Sequence, residues 1–111
     1  MPDSAQSIQA RIRDIQQQLC ELGHFRVGSL SEQFNVCGSP NCKCKADPPQ
    51  KHGPYYQLSC TRKGKHTTRF VRKRHVQAVK QQVKNYQLFK ELVDEWIGLA
   101  SDLSDLQLDQ D

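Results

Sequence analysis

Three cysteines and a histidine crowd one short stretch of the chain: Cys37, Cys42 and Cys44 fall within eight residues, and His52 follows in a Gly-Pro turn. Thiolates two and five positions apart converge on one tetrahedral ion only if the backbone folds tightly around it. Gly38, Pro40 and Asn41 supply that turn chemistry. The spacing therefore predicts a structural zinc knuckle ligated by Cys37, Cys42, Cys44 and His52. His24, Asp47, Cys60 and His66 compete for the fourth position, with Cys60 next after His52. Three thiolates and an imidazole close the coordination sphere, so the ion is expected to contribute folding energy rather than Lewis-acid chemistry.

A disulfide framework fits less well. The five cysteines are odd in number, they cluster instead of spreading along the chain, and no apolar signal-peptide core precedes them. Cys20 lies in a helical pattern and reads as a free thiol. With 111 residues, 36% of them hydrophobic, a single domain over 1–111 is expected, with a modest core that a metal staple would reinforce. No run nears the roughly 20 apolar residues needed to span a bilayer, and no export or lipidation pattern is visible. The expected setting is a reducing cytoplasm without membrane contact.

The periodicities predict an α+β fold: an N-terminal helix over 3–22, a zinc-stapled knuckle and antiparallel β-hairpin over 24–71, a long coiled-coil-like helix over 72–108 and an acidic tail over 109–111. Asp3 is the expected cap of the first helix, answered by Gln6, and Gly23 is placed to end it. Ile8, Ile12, Ile15, Leu19 and Leu22 recur at spacings of four, three, four and three, which is one helical stripe. Leu30, Phe34 and Val36 share one parity and point to a strand entering the knuckle.

The runs 55–60 and 66–71 flank a turn containing Gly64 and read as a hairpin. Setting Leu58 opposite Phe70 gathers Tyr56, Leu58, Cys60, Thr68 and Phe70 on an apolar face and leaves Tyr55, Gln57, Ser59, Thr67 and Arg69 on the other.

The long helix carries Val76, Val79, Val83, Tyr86, Phe89, Val93, Trp96, Ala100, Leu103 and Leu106 at spacings of three or four. At about 37 residues it is roughly 55 Å long, against roughly 30 Å for the first helix. An antiparallel pair would leave the half holding Trp96 and Leu103 bare. That overhang predicts a homodimer with Val93, Trp96 and Leu103 at its interface.

Charge is segregated. Residues 1–41 hold three basic and four acidic side chains, residues 42–84 hold twelve basic residues against Asp47 alone, and residues 85–111 hold Lys90 against seven acids. A cationic block beside the knuckle attracts polyanions, nucleic acid first among them. Lys43 and Lys45 in the knuckle, Arg62, Lys63 and Lys65 in the hairpin tip, Arg69 on its polar face, and Arg72, Lys73 and Arg74 at the helix start are the expected phosphate contacts. Tyr55 is placed to stack on an exposed base. Cations at a helix N-terminus and acids at its C-terminus both oppose the macrodipole, which favours outside partners.

No paired carboxylates, nucleophile with a base, or phosphate-cradling glycine loop stands at useful spacing, so neither an enzyme nor a small-molecule substrate is expected. The expectation is a zinc-stabilised accessory protein that binds nucleic acid, DNA rather than RNA. The alternative is a dimeric helical adaptor for another protein, such as a recombinase subunit.

Residues 28–59, GSLSEQFNVCGSPNCKCKADPPQKHGPYYQLS, resemble the signature of a family of small bacterial and archaeal domains of unknown function. In that family a CG-x3-C-x-C knuckle is followed by HGPYY, a hairpin and a long helix. Cys37, Cys42, Cys44, His52, Gly53, Pro54, Tyr55 and Tyr56 match it residue by residue, and the likeness extends from Gly28 to Leu106. Cys60 stands where the pattern needs no cysteine. The resemblance implies a link to mobile genetic elements and an association with nucleic acid.

Overall fold

The computed structural model describes residues 4–35, 39–42 and 51–110. In chain order these form helix α1 (Ala5–Glu21), strands β1 (Ser29–Asn35), β2 (His52–Arg62) and β3 (Lys65–Val71), a 3-10 turn (Lys73–His75) and helix α2 (Val76–Leu108). This is the α+β order expected from periodicity. The chain falls into two compact units, Met1–His24 with Lys84–Asp111, and Phe25–Val83. Among the described residues no helix is long and apolar enough to cross a membrane.

In the helical unit, Ser4 rather than Asp3 begins α1: its hydroxyl accepts the Ser7 N–H at 3.1 Å, a cap contributing about 1 kcal/mol. Asp3 lies outside the described residues. The helix ends as Leu22 turns extended, so Gly23 follows the last turn without a left-handed cap. Ile8 and Ile15, a heptad apart, are buried.

On α2 the buried position is Leu92, not Val93, which is half-buried; Leu99 is likewise half-buried and Ala100 exposed. Both phases satisfy spacings of three and four, so periodicity alone did not separate them.

Arg11 binds Glu95 through two parallel bonds, Nε to Oε2 at 2.6 Å and Nη2 to Oε1 at 2.8 Å, and Asn85 Nδ2 donates to the His24 carbonyl at 2.8 Å. The two anchors run in opposite sequence sense, so α1 lies antiparallel beside residues 85–95. This corrects the expected overhang. The first helix accompanies the stretch leading to Trp96 instead of the start of α2, and Trp96 and Leu103 are half-buried. The sheet, contributed by the segment between the helices, takes the start of α2 instead.

The hydrogen bonds from Arg11 hold the Glu95 carboxyl below its ordinary value; partial desolvation opposes them and the guanidinium charge reinforces them. A carboxylate depressed in the folded state stabilises above its unfolded pKa and loses that contribution as pH falls through the folded one. Because the pair is solvent-exposed, Arg11→Ala should lower the melting temperature at pH 7 by only about 2 °C. The difference from wild type should shrink as pH falls below the ordinary glutamate range and disappear once Glu95 is protonated in the folded protein as well. Thermal melts at pH 3 to 7 check this, and parallel curves across that range would contradict it.

In the sheet unit, the strands form an antiparallel sheet in the order β1-β2-β3. β2 and β3 pair Arg62 with Lys65, Leu58 with Arg69, Gln57 with Phe70 and Tyr56 with Val71. The expected pairing of Leu58 with Phe70 is therefore off by one. The turn decides the register: Lys63 and Gly64 take φ of 52° and 76°, the paired positive values of a two-residue type I′ hairpin, which a longer loop would not impose. One face gathers Leu30, Tyr56, Leu58, Cys60, Thr67, Arg69 and Val71, and the other Tyr55, Gln57, Ser59, Thr68 and Phe70. Leu58, Val71 and Val76 form the buried centre, with Leu30, Tyr56, Val79 and Val83 packed against it. Val71 takes the core place foreseen for Phe70.

Candidate functional site

β1 and β2 meet at Asn35 and His52, and the knuckle segment joins those paired ends. Cys42 sits in the turn at 40–42, its N–H donating to the Ser39 carbonyl at 3.4 Å. Its Sγ lies 3.0 Å from His52 Nε2. Gly53 continues β2 with φ of 140°, and a Cβ there would stand 2.8 Å from the Gln33 carbonyl oxygen, so only glycine lets β1 approach beside His52.

Cys37 and Cys44, the other two expected ligands, lie outside the described residues, as do Asp47, Lys43 and Lys45. Cys37 is two positions beyond Asn35, and Cys44 two beyond Cys42. Among the described residues no three His, Cys, Asp or Glu side chains gather into one cluster. Of the competitors for the fourth position, Cys60 is eight residues from His52 along one strand, roughly 27 Å. His66 lies by the hairpin tip, its Nδ1 3.1 Å from Thr61 Oγ1. His24 belongs to the helical unit.

The 3-10 turn and the first turn of α2 hold no acidic residue, and the turn itself is Lys73-Arg74-His75. Beside it a cleft of about 560 Å³ is lined by Arg26, Arg69, Arg72, Arg74 and His75 over an apolar floor that includes Leu58, Val71 and Val79. Among the described residues no carboxylate lines it. Arg69 reaches this cleft because the register turns it to the Leu58 side, the reverse of the face expected for it.

Arg26 was not foreseen as a contact. An isolated cation after a helix carries no sequence signal, and its place depends on the backbone bond from its N–H to the Gln82 carbonyl at 3.1 Å. Arg26 also borders a second cleft of about 370 Å³, together with Arg62, Phe25 and Cys60. Lys63 and Lys65 stand at the hairpin tip. Tyr55 lies on the opposite face of the sheet from Arg69, its ring centroid 6.3 Å from that of Phe70. The cations and the tyrosine expected on one face are thus divided between two.

A family described as Domain of unknown function (DUF6788) matches residues 5–81. The match takes in α1 and stops within α2, whereas the resemblance read from the sequence ran from Gly28 to Leu106. Neither a curated protein nor a solved structure matches the chain. With more than half its length covered, the chain belongs to the DUF6788 family.

Proposed function

We propose that this protein is a zinc-stabilised nucleic-acid-binding accessory factor, acting by binding rather than catalysis, with DNA favoured over RNA. The observation that carries this reading is the gathering of Arg26, Arg69, Arg72 and Arg74 around one cleft, with no carboxylate among the described residues that line it. Four guanidinium groups held together repel one another, and an anion with several oxygens relieves that repulsion while accepting paired hydrogen bonds. The cationic turn before α2 opposes the helix macrodipole, which an outside anion would offset.

Zinc, held by Cys37, Cys42, Cys44 and His52, would tie the knuckle to the start of β2. The approach of Cys42 to His52 supports this donor set. Tetrahedral zinc holds a thiolate sulfur and an imidazole nitrogen about 3.6 Å apart, so binding would widen the present 3.0 Å only slightly. Association with a mobile element in a reducing cytoplasm follows from the family resemblance and the cysteine chemistry.

The second reading, a dimeric adaptor for a recombinase or another protein, draws on Ile97 and Leu108 of α2, which are 61% and 77% exposed. In that reading the two-fold contact extends from Val93, Trp96 and Leu103 onto these side chains. Gel shifts of the full chain over 50 to 300 mM salt separate the readings. Phosphate contact by the cleft predicts a dissociation constant rising with salt at a logarithmic slope of about 3 to 4. Binding absent at the lowest salt, or indifferent to salt, would favour the adaptor.

A further inference from the structure

The outer face of the sheet, turned away from Leu58 and Val76, carries Tyr55 and Phe70 side by side. Phe70 is 58% exposed and Tyr55 37%, with ring planes inclined at 48°. The type I′ turn produces this arrangement: by placing Val71 in the core it sets Phe70 outside, where an aromatic ring gains nothing from burial. Around the rings stand neutral amides and hydroxyls. Gln57 faces Phe70 across the strands and Gln33 faces Tyr55, with the Gln33 amide donating to Gln57 Oε1 at 3.0 Å. The register positions sharing this face hold no carboxylate.

We propose that this face is a stacking platform for the bases of an unpaired nucleic-acid strand. The inference rests on the nucleic-acid reading above and deepens it by naming a single strand as the ligand class. Two arguments select bases over an apolar protein surface. The hairpin that carries this face ends in cations, Lys63 and Lys65 at its tip, and Arg69 stands on the opposite side of β3. β3 is also the edge strand of the sheet, so a nucleic-acid strand passing round that edge would meet Arg69 of the phosphate-suited cleft on one side and the Phe70 ring on the other. Bases within a duplex are stacked on each other and present no free face to such rings, whereas a single strand does.

The test compares the full-length wild type with Phe70→Leu and with the Tyr55→Leu/Phe70→Leu pair. The probes are a single-stranded 12-mer, the matched duplex, and the same strand with abasic sites. Both side chains are exposed, so leucine preserves the fold, and melting curves verify that. The wild type should bind the single strand at least about tenfold more tightly than the duplex or the abasic strand. Each ring removed should weaken single-strand binding by about tenfold while leaving the salt slope unchanged, because phosphate contacts remain. Phe70→Trp should restore affinity.

A wild type that binds all probes equally, or leucine variants that bind the single strand as the wild type does, overturns the platform while the phosphate cleft stands. Leucine variants that change the oligomeric state and not the affinity assign the face to a protein contact instead. A wild type that binds no probe at low salt overturns both proposals.

Discussion

Chelation of the reduced protein at neutral pH should lower its melting temperature by at least about 10 °C, the largest single effect expected here. Structural zinc contributes of the order of 10 kcal/mol to small zinc-stapled peptides, and about 1 kcal/mol moves the midpoint of a domain this size by several degrees. The sheet unit has a small buried centre of Leu58, Val71 and Val76, so a metal staple would add a large share of its stability. Elemental analysis should find one zinc per chain. Replacing Cys37, Cys42 or Cys44 by serine, or His52 by alanine, should abolish stoichiometric retention. Cys60→Ser and Cys20→Ser should leave it intact, since Cys60 is a strand's length from His52 and Cys20 is in α1. Metal-free protein that melts as the native material does would remove zinc from the account, and retention lost only in Cys60→Ser would transfer the fourth position to that residue.

Replacing Arg69, Arg72 and Arg74 together by alanine should weaken nucleic-acid binding by about a hundredfold or more near 100 mM salt and reduce the salt slope by about three. Each lost phosphate contact removes close to one released counterion, which is why slope and affinity should fall together. The same three residues as lysine should restore the slope but only part of the affinity, because lysine keeps the charge and loses the forked donor geometry. Lys63→Ala, at the hairpin tip and outside the cleft, should produce the smaller change. Gel shifts over a salt series read both quantities. A triple variant with unaltered slope would show that the arginines do not meet phosphate.

The difference between Arg69 and Phe70 marks how much of the site was legible in the sequence. Apolar alternation identified the hairpin but was compatible with two registers, and the one that hides the larger aromatic ring was the more attractive on hydrophobic grounds alone. The observed register follows from two positive backbone angles at Lys63 and Gly64, a local preference that outweighs the extra burial Phe70 would provide. Its consequence reaches the site directly, sending Arg69 to the cleft and Phe70 outward. Arg26 was invisible for another reason: only a long-range backbone contact with α2 places it beside Arg69, and no local pattern encodes that.

Helix α1 shows the same division. Its stripe and length follow from spacing, yet its position along α2 depends on the Arg11–Glu95 and Asn85–His24 contacts, between residues far apart in sequence.

By itself the sequence determined the kinds and order of the elements, the family, the segregation of charge and the donor types crowded before β2. All of these are set by local periodicity, turn residues and composition. Tertiary structure alone decided which face each strand residue takes, that Leu92 rather than Val93 is buried, that His52 is the imidazole beside Cys42, and which arginines share a cleft. Those outcomes depend on pairings between distant segments, where one residue of register or one step of helix phase reverses a side chain's surroundings.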